Sequence, residues 1–181
     1  MVATPIGNLG DITYRAIEIL KSVDAVLAED TRQTKKLLDH YEIDKKLIPF
    51  HLHNEHKTLA SVIQRLQNGD QLALCSDAGT PGISDPGYLL IREVIENNIA
   101  VETLPGATAA IVALVNSGLP CDTFLYEGFL PHKKGKQTKI LSLLEEHRTT
   151  IFYESPHRIV KTLTMVAELL GEDRKVVIAR E

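Results

Sequence analysis

Five segments carry the residue types that could do chemistry: Thr4-Pro5-Ile6-Gly7-Asn8, Glu29-Asp30-Thr31-Arg32, residues 76–87, Pro105-Gly106-Ala107-Thr108 and Glu154-Ser155-Pro156-His157-Arg158. Each sits where a short extended run should end. Ligands of open α/β sheets lie beyond the carboxyl ends of the strands. The first four segments are therefore expected along one sheet edge, and the fifth at a strand end in the second half of the chain.

The longest of these follows Leu72-Ala73-Leu74 and reads CSDAGTPGISDPG from Cys75 to Gly87. Its glycines permit close approach of backbone to a ligand, and its prolines stiffen the path and remove N–H donors. Such a loop offers fixed carbonyls and few amides. A phosphate cradle needs the reverse, and the chain has neither GxxxxGK[ST] nor GxGxxG. The loop thus suits a cofactor without phosphates, even a cationic one. The competing reading is a tight strand-to-helix turn with no ligand. Of its two aspartates, Asp77 and Asp85, one is expected to face the cofactor and the other to cap the helix beginning near Pro86.

Glu29-Asp30-Thr31-Arg32 reads equally as a capped, acid-rich helix start, with Thr31 as N-cap, or as a group that positions a polar substrate. His51, His53 and His56 lack a cysteine partner or an HExxH frame, so they predict solvated or substrate-bonded imidazoles and no metal. Pro131-His132-Lys133-Lys134-Gly135-Lys136 with Lys139 is a basic run, either a solvated loop or a contact to phosphate backbone. In the fifth segment Ser155 and Pro156 fit the N-cap and first position of a helix. That leaves His157 and Arg158 without a structural reason.

The elements that must position these groups alternate. Apolar periodicity predicts helices over 12–23, 31–41, 55–68, 88–97, 107–116, 135–147 and 156–170. Short apolar runs predict strands at 24–28, 47–50, 71–75, 100–104, 124–129, 149–153 and 175–179. The order predicts parallel sheet with helices on its faces. Gly118-Leu119-Pro120 predicts a boundary between domains 1–119 and 120–181. The opening strand looks clipped, and the last one stops at the final residue, as though more chain belonged at each end.

The 181 residues are 44% hydrophobic and 24% charged, with a net charge of -4. That supports a folded core and excludes a strongly basic nucleic-acid binder, so any RNA contact must be a local patch. The two cysteines are far apart in sequence, which predicts reduced thiols rather than a disulfide framework. No apolar run approaches a membrane span and no secretory signal precedes the first motif, so a cytoplasmic location is expected.

Six motifs occur in order along nearly the whole chain: VATPIGNLGDIT, LAEDTR, CSDAGTPGISDPG, LPGATAA, EGFLP and FYESPHR. Together they resemble the ribosomal RNA small subunit methyltransferase I family, in the tetrapyrrole-methylase superfamily. The resemblance implies two α/β domains with a cofactor cleft between them and, commonly, a homodimer. It implies S-adenosylmethionine as cofactor and methylation of a cytidine ribose 2′-hydroxyl in the decoding region of 16S rRNA. It places Pro5, Asp77, Ala78, Gly79, Thr80, Ile83, Thr108 and Ala109 at the cofactor. Asp30 and Glu154 become the candidates for polar work near the ribose, and Arg32, Lys133, Lys134, His157 and Arg158 the candidates for RNA contact. The family's second domain is longer than the stretch after Cys121, so an incomplete second domain is expected. The competing functions are another enzyme of the superfamily, a precorrin or diphthine methylase, and a non-catalytic nucleoside-binding assembly module.

Overall fold

A computed structural model describes residues 1–132 and 134–180. The chain divides into two compact units, Met1–Ala109 and Ala110–Glu181. The division falls inside the helix that sequence pattern places over 107–116 in the first domain, ahead of the 119/120 boundary.

The first unit runs α1 (Tyr14–Ser22), β1 (Ala25–Ala28), α2 (Thr31–His40), β2 (Lys46–Pro49), α3 (Glu55–Gln67), β3 (Leu72–Cys75) and α4 (Tyr88–Glu96). The strands form a parallel sheet in the order β2-β1-β3, with Ala28 level with Pro49 on one side and Cys75 on the other. Alternate strand residues point to opposite faces. Val26, Ala73 and Cys75 therefore join Leu20, Val23, Leu38 and Ile43 in one core. Leu27 and Leu74 join Phe50, Val62, Leu90 and Val94 in the other.

The expected strand at 100–104 is not formed as a ladder. Its backbone meets the Met1 segment through Met1 N to Glu102 O (2.7 Å) and Leu104 N to Met1 O (3.0 Å). These bonds align one residue pair, too few to extend a strand. Val2 N in turn donates to Leu74 O (2.9 Å), so the opening segment lies beside β3. Among the helix starts, Thr13 caps α1 as its hydroxyl accepts from Ala16 N (3.1 Å). The cap of α2 is Asp30 rather than the expected Thr31: its carboxylate accepts from Arg32 N, because Asp30 is the last residue with extended backbone.

The second unit contains α5 (Ala109–Asn116) from its second residue onward, β4 (Phe124–Phe129), α6 (Lys134–Leu141), β5 (Thr149–Tyr153) and α7 (Ile159–Leu170). β4 and β5 pair in parallel, with a register shift between Tyr126 and Gly128. Two expectations fail here. Residues 175–179 form no strand, because Val176, Val177 and Ile178 stay exposed and no described strand pairs with them. α7 starts later than expected, with Arg158 at its N-cap. Ser155 and Pro156 belong to the preceding turn, in which Ser155 O accepts from Arg158 N (2.9 Å).

Candidate functional site

The parallel register brings the ends of β1 and β3 side by side, so Glu29 and Asp30 meet Ser76 and Asp77. Asp77 Oδ1 accepts from Asp30 N (3.0 Å), and Asp77 N approaches Glu29 Oε2 (3.4 Å). Each strand end thereby holds the other. Asp85 joins this group through a hydrogen bond from Ser76. The N-cap position of α4 is Gly87.

The carboxylates of this edge differ in proton affinity. Burial, then the negative charge of Glu29 and that of Asp77, push Asp85 up to about 6 against the Ser76 hydrogen bond. Glu29 and Asp77 are raised too, in both cases first by burial. Asp30 goes the other way, down to about 2, because Arg32 donates to it from side chain and backbone. Arg32 reaches Oδ1 through Nε (3.0 Å) and Oδ2 through Nη2 (2.6 Å), while staying largely exposed itself.

The loop after β3 is latched to the opening segment. Thr4 N donates to Gly79 O (2.9 Å) and Gly79 N to Thr4 O (3.0 Å). The buried Thr4 hydroxyl adds a bond to Ser76 O (3.1 Å). Gly79 has φ +81°, and a Cβ there would lie 3.3 Å from Ile6 Cγ2 and 3.4 Å from Ala107 O. Thr80 Oγ1 donates to Ala107 O (3.2 Å) and stands 2.8 Å from Thr108 Oγ1. The segment after residue 104 is drawn in closely: a Cβ on Gly106 would come within 2.5 Å of Ala3 Cβ. At the far end of the loop, the carboxylate of buried Glu55 accepts from Gly87 N (3.2 Å).

Of the residues expected at the cofactor, Asp77, Gly79, Thr80 and Thr108 thus share one bonded surface. Pro5 borders it within the latched segment, half-buried, while Ala78 and Ile83 are exposed along the loop and Ala109 is exposed at the start of α5. The surface combines a tight glycine with the paired hydroxyls of Thr80 and Thr108, and its carbonyls on Thr4, Ser76, Gly79 and Ala107 are taken by bonds between the segments.

The second unit holds a separate polar group. Glu154 follows β5 with its side chain only 5% exposed, and each of its oxygens accepts from two donors. Oε2 accepts from Lys136 Nζ (2.7 Å) and the Thr162 hydroxyl (2.6 Å). Oε1 accepts from Ser155 N (2.8 Å) and Arg158 Nη2 (2.8 Å). Burial raises the carboxyl's proton affinity, but the bonds from Lys136, Thr162 and Ser155 outweigh it and bring Glu154 down to about 2. Arg158 Nη1 also contacts His132 Nδ1 (3.0 Å), and His157 is exposed in the same turn. Lys134 opens α6, and Lys133 lies outside the described residues.

Sequence reasoning did not single out Ser76, Lys136 or Thr162. Ser76 sits in the loop as an ordinary turn residue, and Lys136 is one of several lysines in a basic run. Only the pairing of distant segments sets them apart.

The family description Tetrapyrrole (Corrin/Porphyrin) Methylases matches residues 1–181. The chain belongs to this family. A relative from Synechocystis sp., named ribosomal RNA small subunit methyltransferase I, is 52% identical over 182 residues, covering all of this chain and 65% of that protein. The chain therefore spans about two thirds of that relative's length. Such relatives support the resemblance carried by the six motifs. Among solved structures, a diphthine synthase aligns with TM-score 0.72 at 12% identity, covering 92% of this chain and 69% of that one. The uroporphyrin-III C-methyltransferase of Thermus thermophilus, solved with S-adenosyl homocysteine, aligns with TM-score 0.62 at 17% identity, covering 95% and 76%. At such identities these two establish the tetrapyrrole-methylase fold of two α/β units.

Proposed function

We propose that the protein is an S-adenosylmethionine-dependent methyltransferase that 2′-O-methylates a cytidine ribose in the decoding region of 16S rRNA. Its substrate would be the small ribosomal subunit, and the working form a cytoplasmic homodimer. The observation that carries this reading is the 52% identity, over the full chain, to a protein named for methylation of small-subunit rRNA. Membership of the tetrapyrrole methylases, one of which was solved with S-adenosyl homocysteine, supports the cofactor assignment.

Pro5, Asp77, Ala78, Gly79, Thr80, Ile83, Thr108 and Ala109 would hold the cofactor. When bound, it supplies a methyl group already activated on a sulfonium. The chain's own task is then to align the ribose oxygen and manage its proton, and alignment alone accounts for a large share of such rate enhancements. Asp30, tied to Arg32, and Glu154, with four donors, bind protons too weakly to act as bases near neutral pH. We assign both to orientation: Asp30 sets Arg32, and Glu154 sets Arg158, for contacts to the substrate backbone with His157, Lys133 and Lys134. Asp85, pushed up to about 6, has a proton affinity suited to a general base.

The test is transfer of label from S-adenosylmethionine by the whole protein. Small subunits lacking the modification, naked 16S rRNA and a tetrapyrrole serve as acceptors. Label in 16S rRNA that disappears with a 2′-deoxy target is expected. Label in the tetrapyrrole lane, or in none, overturns the reading.

A further inference from the structure

Lys136 is a buried cation outside the segments assigned above to the cofactor. Its side chain is 11% exposed, and it bonds Glu154 Oε2 and the Thr162 hydroxyl. Two cations, Lys136 and Arg158, share the single carboxylate of Glu154, so the group carries one positive charge in excess. Arg158 is the accessible member, with its side chain 32% exposed. It also contacts exposed His132, which lies in the loop between β4 and α6. A neutral imidazole accepting at Nδ1 keeps its proton on Nε2. Arg158 and His132 together therefore offer N–H donors to an anion.

The division of the carboxylate explains why Lys136 matters. A guanidinium fork and a carboxylate pair naturally in a bidentate fashion, two N–H groups to two oxygens. Here Lys136 and Thr162 occupy Oε2, so Arg158 reaches only Oε1. Its other arm, Nη1, is left for His132.

We propose that Lys136 is a positioning residue: by occupying Oε2 of Glu154 it keeps Arg158 from closing on both carboxylate oxygens, and so holds Arg158 and His132 as a clamp for one RNA phosphate. Without Lys136 the fork of Arg158 turns onto Glu154 and the clamp opens, although Lys136 itself touches no RNA. The inference rests on the reading that this protein binds ribosomal RNA.

The experiment measures binding of the whole protein to unmodified small subunits across a salt series. Removing one phosphate-binding group lowers the slope of log affinity against log salt by about 0.7 to 0.9. Lys136→Met, Arg158→Gln and the double variant should each lower it by that one step. Non-additivity marks groups acting as a unit. Binding of S-adenosylhomocysteine should change less than twofold in all three. A weaker Lys136→Met with an unchanged slope, or a double variant that drops by two steps, overturns the proposal. If Lys136→Met does not fold, exposed His132→Ala carries the test: a weakening of threefold or more at each salt concentration is expected, and unchanged binding overturns the clamp. Wild-type protein that binds no rRNA at low salt overturns the functional reading and this inference together. Wild-type binding with unaffected variants overturns this inference alone.

Discussion

At the scale of single residues, the carboxylates are set apart by their partners. Asp85 is raised to about 6 by burial beside Glu29 and Asp77. A carboxyl whose folded value lies above its unfolded value of about 3.9 penalises folding once it is ionised. The penalty is absent below about pH 4, grows between about pH 4 and 6, and is complete above that. Asp85→Asn should therefore raise the melting temperature at about pH 8 and leave it unchanged at about pH 4. An equal shift at both values would show that the gain has another origin. Gly79 is limited in a different way. With φ +81° and Ile6 and Ala107 close to any added Cβ, Gly79→Val should lose the thermal shift produced by S-adenosylhomocysteine. A ligand that binds only the folded state raises apparent stability, so a retained shift would place that ligand elsewhere.

At the scale of elements, close approach of segments replaces a full ladder at the sheet's edge. The backbone around Gly106 passes so near Ala3 that one added carbon would overlap it. Gly106→Ala should destabilise the protein by about 1–3 kcal/mol, the usual cost of overpacking. The urea midpoint should fall with no change in its slope. An unchanged midpoint would mean that the segment yields freely.

Most elements were legible, because apolar spacing reports burial directly. β4 and β5 fall where the runs Phe124–Phe129 and Thr149–Tyr153 predict them. The failures depended on partners that a local pattern does not contain. Val176-Val177-Ile178 has strand composition, but composition supplies no neighbouring ladder. Asp30 displaced Thr31 as a cap through a one-residue difference in where the helical backbone starts. In the site, turn chemistry and strand-end position marked out Gly79, Asp77 and Asp30. Nothing local joins Lys136 to Glu154, since their pairing exists only once α6 and β5 are packed.

At the scale of the whole molecule, exposed apolar side chains bear on assembly. Ile111, Val112 and Val115 all lie open on α5, the last 71% exposed. Apolar side chains exposed at this helical spacing suit an interface, and the proposed homodimer would use it. Val112→Glu with Val115→Glu should convert the whole protein from dimer to monomer in sedimentation, with its far-UV spectrum unchanged. A dimer that persists would put the interface on another face.

The latch between Thr4 and Gly79 joins residues 75 positions apart by two backbone bonds. Closing so long a loop costs chain entropy before any contact repays it. During synthesis the Thr4 segment leaves the ribosome before the β3 loop and waits, unpaired, until that loop emerges behind it. Until then the bonded surface has only one of its walls. The proposed cofactor site would close only then, when the Thr4 segment meets residues made later.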